Sequence, residues 1–587
     1  MKSATPWVVG ALVFAVAATL GIAHLYVSHP AEDAFILFKY AENVAHGYGI
    51  VYYPGGPRTE GATDFLWMML LAASVVAGAD VAVAAALWNA LGAGIAAVVV
   101  EREIERADLP AAWRSLLLVV PLSLPFVAGA TAAYLGFSSL LYQAAVLVAF
   151  VMTAADSPRF ASWVPWTGLA ITLFRPDGAF FAAAFVIATG GRVLRSSRWR
   201  PFVASTAAAA AAGIVYFVAR ASYFGELLPL PLHVKSHGVL RGPLADRIRH
   251  YLPWLNGIGV QLMWLRTTIG PMTLSMSFVG LVLLPPPLGG TSREFWRRAG
   301  IAAFGSALFL AALSLAFQVQ NVHFRYQAPV LLLTLFVVGG LASNRIAERS
   351  GIGRRAIVFV ILLAGLLPTV AGGVAAFTEA ARSRSYIDVL PARLAEALRP
   401  GRTIALTDAG RLAYWTRTPV FDIAGLNFAP TALRPPSVAL LREIDPDVVL
   451  VHPGAAIVAQ EFPPPGGSPS FWEIDGATIE RRISPDYRAV YDGGLARYTT
   501  TSNTATIAAV VMLRYLAERD ADYVIESVRY QGGYRHVFAF RRALPEAEAI
   551  REALVGATSG NAYAPYAALK GLPLARRFDA VVDGSQL

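Results

Sequence analysis

Two adjacent carboxylates, Glu32 and Asp33, open a polar run just after the first apolar stretch of the chain. The run continues through Lys39-Tyr40, His46-Gly47-Tyr48-Gly49, Tyr52-Tyr53 and Thr59-Glu60-Gly61-Ala62-Thr63-Asp64 to Phe65-Leu66-Trp67. Acidic side chains at the end of a membrane segment lie at the boundary between hydrocarbon and water. There a charge is costly unless it meets water, a cation or a reacting group. A carboxylate so placed can take a proton from a hydroxyl. The position suits an enzyme whose donor is a lipid lying in the same membrane.

The elements that must hold this run are membrane helices. The chain has 587 residues, 56% of them hydrophobic and only 15% charged, with a mean hydropathy of +0.51. A soluble protein of that composition could not cover its apolar surface. Runs suited to crossing roughly 30 Å of hydrocarbon are Trp7–Val27, Val81–Val100, Leu116–Ala130, Leu140–Thr153, Val164–Phe174, Ala179–Thr189, Ser205–Ala219, Pro271–Leu284, Ile301–Phe317, Pro329–Leu341 and Ile357–Phe377. They predict a polytopic α-helical membrane protein of about 11 transmembrane helices. No small-residue cleavage site follows Trp7–Val27, which reads as a retained helix.

Arginines crowd alternate connections: Arg102, Arg106 and Arg114; Arg192, Arg195, Arg198 and Arg200; Arg293, Arg297 and Arg298; Arg345, Arg349, Arg354 and Arg355. The positive-inside rule then predicts an N-terminus inside, with the 28–80 loop and everything after Phe377 outside. Phe65–Ala77 must be an interfacial or re-entrant helix for this to hold. The net charge of +10 needs no nucleic acid, because much of it sits in cytoplasmic loops facing anionic lipid. The absence of cysteine excludes disulfides, thiolate metal sites and a cysteine nucleophile.

From about Ala380 charged residues and Pro become common, and short apolar runs replace long ones. Thr403–Leu406, Val448–Val451 and Tyr523–Ser527 read as buried strands between helical patterns at Pro391–Leu398, Ile507–Arg519 and Pro545–Leu554; Phe462–Ser470 reads as a loop. The expected organisation is a membrane domain over 1–377 and an extracytoplasmic α/β domain over 378–587, without internal repeats.

The first outer run resembles the first-loop signature of GT-C glycosyltransferases, in Glu32-Asp33-Ala34-Phe35-Ile36, Asn43, Gly47-Tyr48-Gly49, Val51-Tyr52, Glu60-Gly61-Ala62-Thr63 and Phe65-Leu66-Trp67. The branch it is most similar to is that of the terminal β-(1→2) arabinofuranosyltransferase of the actinobacterial cell envelope. Further similarities are Arg175-Pro176-Asp177-Gly178, Tyr223–Pro229 with Lys235-Ser236, His323-Phe324-Arg325-Tyr326, Asp408-Ala409-Gly410 and Asp422-Ile423-Ala424-Gly425-Leu426-Asn427. Departures include Glu32 where Asp is usual, Lys39 where Arg is usual, and Gly136-Phe137-Ser138 in place of Gly-Leu-Glu-Thr.

The resemblance implies a GT-C membrane domain that transfers a sugar, arabinofuranose first among candidates, from a polyprenyl-phosphate donor to an extracytoplasmic glycan. The partners would be that lipid donor, the acceptor and the bilayer, with a monomeric chain in the inner (plasma) membrane. On such a substrate Asp33 is the expected general base, worth on the order of 10²–10⁴ in rate. Glu32 would be its partner or a sugar or acceptor ligand, and a single base implies inversion. Capping of an interfacial helix is the alternative role for Asp33.

Phosphate calls for cations, and the outer face offers Lys235, Arg325, Arg175, His233, Arg58 and Lys39. Snorkelling to lipid is the alternative for Lys235 and Arg325, and a turn with Asp177 for Arg175. Glu60, Tyr52, Trp67, His323, Asp422 and Asn427 are the candidate sugar or acceptor contacts; aromatic belts and turn formation are the alternatives. His233, His237 and His323 match no metal-ligand spacing, so no metal site is expected, although a divalent cation stays possible. No other cofactor is required by the sequence. Rival readings are a mannosyl- or other hexosyl-transferase on the same scaffold, and a non-catalytic envelope assembly or transport protein.

Overall fold

Small residues set how closely the first helices pack. In the computed structural model, helix α1 (Thr5–Leu25) crosses α4 (Val81–Glu105) where Gly10 meets Val98 and Gly94 meets the Gly10 carbonyl. A Cβ at Gly94 would lie 2.9 Å from that oxygen, so only glycine admits this backbone approach, the usual device of helix pairs in lipid. The residues described are 5–105, 136–195, 199–235, 253–264, 290–314, 324–337, 389–453 (417 apart), 470–485, 488, 504–529, 535–558 and 564–572.

Between α1 and α4 lie α2 (Glu32–Ala45) and α3 (Phe65–Val76). At 12 residues, α3 is roughly 18 Å long, too short to span the hydrocarbon. Next come α5 (Ser139–Ala154), α6 (Pro158–Phe174), α7 (Gly178–Val193) and α8 (Trp199–Phe224). They are followed by α9 (Leu230–Lys235), α10 (Pro253–Trp264), α11 (Gly290–Ser314) and α12 (Ala328–Val337). Among the described residues three helices are long and apolar enough to cross a membrane: α1, α4 and α8. Ile214, Val215, Phe217 and Val218 on α8 are exposed, as suits a helix bathed in lipid. The expected crossings Leu116–Ala130, Pro271–Leu284 and Ile357–Phe377 lie outside the described residues.

Connections assigned to one side by their charge meet one another. On the arginine-rich side, Arg192 and Arg297 donate to the carbonyls of Thr153 and Ala154 (2.8 and 2.7 Å), closing the orphan C-terminal groups of α5. Arg298 pairs with Glu103 there. On the other side, the connections around residues 64, 138, 175 and 325 converge.

After residue 388 the strands β1 (Ile404–Leu406), β2 (Val420–Asp422), β3 (Val448–Val451), β4 (Ser470–Glu473), β5 (Tyr523–Arg529) and β6 (Arg535–Arg541) form one mixed sheet, in the order β2-β1-β3-β6-β5-β4. The pairs β1–β2 and β1–β3 are parallel, and the rest antiparallel. Alternation divides the side chains between two cores. Val449, Val451, Val537 and Ala539 pack with helix α13 (Thr504–Glu518), whereas Leu450, Phe538 and Phe540 share a core with Phe35 and Phe38 of α2. The sheet and the first loop are therefore in contact, and no bilayer can lie between them.

Candidate functional site

Helix α2 is the axis of the site. Ala31 enters it in extended conformation, and Glu32 and Asp33 occupy the first turn, where the helix dipole favours negative charge. It stops in a Schellman turn: Gly47 takes φ +80° while Tyr48 N–H reaches the Asn43 carbonyl (2.9 Å). One face of α2 meets the C-terminal sheet and the other meets the membrane helices.

Toward the sheet, the polar groups are engaged. Glu32 Oε1 accepts the backbone N–H groups of Gly410 and Arg411 (2.8 and 3.0 Å), and Arg411 Nε lies 3.6 Å from Oε2. Burial nevertheless pushes the Glu32 carboxyl up to about 7, against the pull of Arg411 and the two amides. Lys39 is buried and donates to the Thr416 carbonyl (2.7 Å). Glu42 accepts from Tyr414 (2.6 Å) and Lys570 (3.3 Å), and the buried Tyr52 hydroxyl donates to the Ala409 carbonyl. Glu32, Lys39 and Tyr52, expected at the substrate, thus strap the loop to the sheet.

The next residue of the first turn is treated differently. Asp33 is partly exposed, and its carboxylate makes no hydrogen bond or ion pair among the described residues. Its neighbour Ala34 abuts Gly136, where a Cβ would lie 3.0 Å from that of Ala34 and 2.7 Å from the Phe38 ring. With φ at +94° as well, position 136 admits only glycine. The next residue, Phe137, carries the Arg325 guanidinium 3.6 Å above its ring. Arg325 is 7% exposed; it donates to the Tyr326 hydroxyl (3.1 Å), while Nε and Nη1 have no partner among the described residues. Buried donors left so cost roughly 1–3 kcal/mol each, more when charged. Phe324, at φ +56°, turns the chain into this position at a cost in backbone strain.

Other groups complete the site. Arg175 is locked to Asp177 by two hydrogen bonds (3.1 and 2.6 Å). Asp64, ahead of α3, accepts from Ser138 (3.0 Å); burial raises its pKa while Arg175 and Arg325 oppose. Asn89 on α4 holds the turn between them, donating to the Phe137 carbonyl (2.8 Å) and accepting from Leu140 N–H (2.9 Å). Asp64, Ser138 and Asn89 are positions sequence reasoning left without a role; a buried Asn inside a membrane helix was the available signal for the last.

Among the remaining expected contacts, Glu60 is buried and paired with Arg220 at the end of α8; burial raises its pKa. Trp67 is buried in the core, so it offers no face for a sugar. Asp422 is fully buried and organises its own turn, accepting from Asn427 N–H, Asn427 Nδ2 and Gly425 N–H (2.9, 3.0 and 3.2 Å), and burial lifts it to about 6. Asn427 packs against Gly61. Arg58 is exposed with its guanidinium 4.6 Å from the Tyr223 ring, and His233 is partly buried on α9. His323, His237 and the Lys235 side chain lie outside the described residues.

A second polar cluster stands at the sheet end nearest Glu32. Asp408, two residues past β1, has Oδ2 3.0 Å from His536 Nε2 and Oδ1 3.5 Å from His452 Nδ1. Three possible metal ligands thus lie together where no sequence spacing pointed to them. A recess of about 430 Å³ lined by Glu473, Asp475, Arg482 and Arg542 lies at the opposite, β4 edge, away from both clusters.

Residues 380–564 match a family described as a domain of unknown function (DUF8728). No curated protein matches the chain in sequence. Two solved structures of ArnT from Cupriavidus metallidurans are similar to it. The one bound to undecaprenyl phosphate shares 15% identity over 92% of this chain and 99% of that chain, with a TM-score of 0.48. The apo state shares 15% over 83% and 95%, with a TM-score of 0.45. Neither likeness identifies an activity for this chain.

Proposed function

We propose that the chain is a membrane glycosyltransferase that moves a sugar from a polyprenyl-phosphate donor to a glycan acceptor on the outer face of the membrane. One juxtaposition carries the reading. Asp33, whose carboxylate has no partner among the described residues, opens the helix whose Ala34 packs on Gly136. The next residue, Phe137, carries Arg325, a buried guanidinium with two donors unmet among the described residues. A base beside an anion receptor is what transfer from a phosphate leaving group requires. The acceptor hydroxyl oxygen attacks the anomeric carbon while Asp33 takes its proton. The bond from that carbon to the phosphate oxygen breaks, its electron pair leaves with the phosphate, and Arg325 N–H groups receive the charge. A single displacement of this kind inverts the anomeric centre. The resemblance of the first-loop signature to the arabinofuranosyltransferase branch supports arabinofuranose as the sugar.

The test is transfer by the full-length chain in proteoliposomes, supplied in parallel with synthetic polyprenyl-phosphate arabinofuranose and polyprenyl-phosphate mannose. Turnover of the first donor, abolished in Asp33→Asn, is the expected result. Turnover of the mannosyl donor alone would replace the sugar but keep the class. Failure with both, together with no lipid phosphate bound by mass spectrometry, would overturn the reading.

A further inference from the structure

We infer that Asp408, His452 and His536 form a binding site for one divalent transition-metal ion of the zinc class. Three adjacent strands bring these residues together. Val451 of β3 pairs with Val537 of β6, so His452 and His536 come next in register and face each other, with ring centroids 5.0 Å apart. Asp408 follows β1, the parallel neighbour of β3 on its other side, and reaches the same end of the sheet. The crevice beyond the carboxyl ends of parallel strands is where open sheets with such strands gather ligands.

The separations suit a metal. Ligand atoms around tetrahedral zinc, each roughly 2.0–2.1 Å from the ion, stand roughly 3.3 Å apart. Here Asp408 lies 3.0 Å from one imidazole nitrogen and 3.5 Å from the other, and the three ligand atoms fall within 4.8 Å of one another. His536 is buried to 1% side-chain exposure and fixed, whereas His452 and Asp408 are 35% and 23% exposed, which leaves a path for the ion and a position for water. Two imidazoles and one carboxylate select zinc and its transition-metal neighbours over magnesium or calcium, which need a shell of oxygens.

The ion would bind where the loop is strapped. Asp408 leads directly into Ala409 and Gly410, whose carbonyl and N–H take Tyr52 and Glu32. Fixing the three strand ends therefore fixes the cradle that holds the first turn of α2. This site stands independently of the sugar-transfer reading, and its test does not use activity.

The experiment is Zn²⁺ binding by full-length protein prepared without a histidine tag, stripped with EDTA and titrated with ZnCl₂ against a fluorescent chelator. Thermal unfolding of the same samples gives a second readout. Wild type should take up one equivalent and unfold at a higher temperature, with no such rise in MgCl₂ or CaCl₂. His452→Gln and Asp408→Asn, both at partly exposed positions, should weaken uptake by about a hundredfold or more, as loss of a direct ligand exceeds the 10–100-fold of an outer-shell change. X-ray absorption of the zinc-loaded wild type should show imidazole scattering. Failure of wild type to bind, or equal uptake by both variants, overturns the site; the wild-type arms keep the test valid if a variant does not fold.

Discussion

Glu32 and Asp33 are adjacent carboxylates in the first turn of α2, yet the protein treats them in opposite ways. Against the sheet, Glu32, Lys39, Glu42 and Tyr52 each meet a defined partner. Among the described residues, by contrast, Asp33 makes no hydrogen bond or ion pair and Arg325 keeps two buried donors without partners. A buried guanidinium with unmet donors costs the native state free energy. Under the proposed function, the donor phosphate would meet those N–H groups.

The sharpest way to break the comparison is Asp33→Asn against Glu32→Gln. The first should lower the maximal transfer rate by about 10²–10⁴ while leaving the chain inserted and folded. The second keeps an oxygen for Gly410 and Arg411, and should cost far less rate than the first. Equal losses in single-turnover assays would erase the difference between the two carboxylates. Arg325→Ala comes next: losing a charge-assisted phosphate contact should weaken donor use by about tenfold to a hundredfold, read as a shift in donor saturation at little-changed maximal rate. An unchanged donor dependence would make Arg325 a structural cation.

Two smaller effects probe the strapped face. Gly61→Ala would drive a methyl into the buried Asn427 amide, which Asp422 holds in place, and should destabilise by about 1–3 kcal/mol in denaturant unfolding. Asp422 concerns pH. Its carboxyl is raised from 3.8 to about 6, so its neutral form is the one the fold favours. The stability it contributes is present below about pH 4 and lost as pH rises through 6. Asp422→Asn should flatten that part of the stability–pH curve; an unchanged slope would assign it to another group.

Strands β1 and β3 were legible in the sequence because each is an unbroken apolar run, and β5 because it opens on one, Tyr523-Val524-Ile525. The three-residue β2 and the charged ends of β6 hid the other parts of the same sheet. The alternation of arginine-rich connections marked Phe65–Ala77 as a helix that does not cross, and α3 is indeed too short to do so. Asp33 and Arg325 stood out because each charge adjoins an apolar segment. Lys39 and Trp67 show the limit of that inference: position in a polar loop does not reveal which way a side chain turns, and both turn inward. The Asp408–His452–His536 cluster was invisible for a related reason. It exists only through the pairing of Val451 with Val537, a register that the spacing of its members does not encode.

The Glu60–Arg220 pair ties the first loop to the end of α8, the least buried of the three long apolar helices among the described residues. At 26 residues, α8 is roughly 39 Å long, more than the hydrocarbon of an ordinary bilayer, so it must lean or protrude. A tilt that followed the thickness of the surrounding lipid would move Arg220 and, through the ion pair, Glu60 in the loop that follows α2. Reconstitution in lipids of graded chain length should show a thickness optimum that Glu60→Gln flattens.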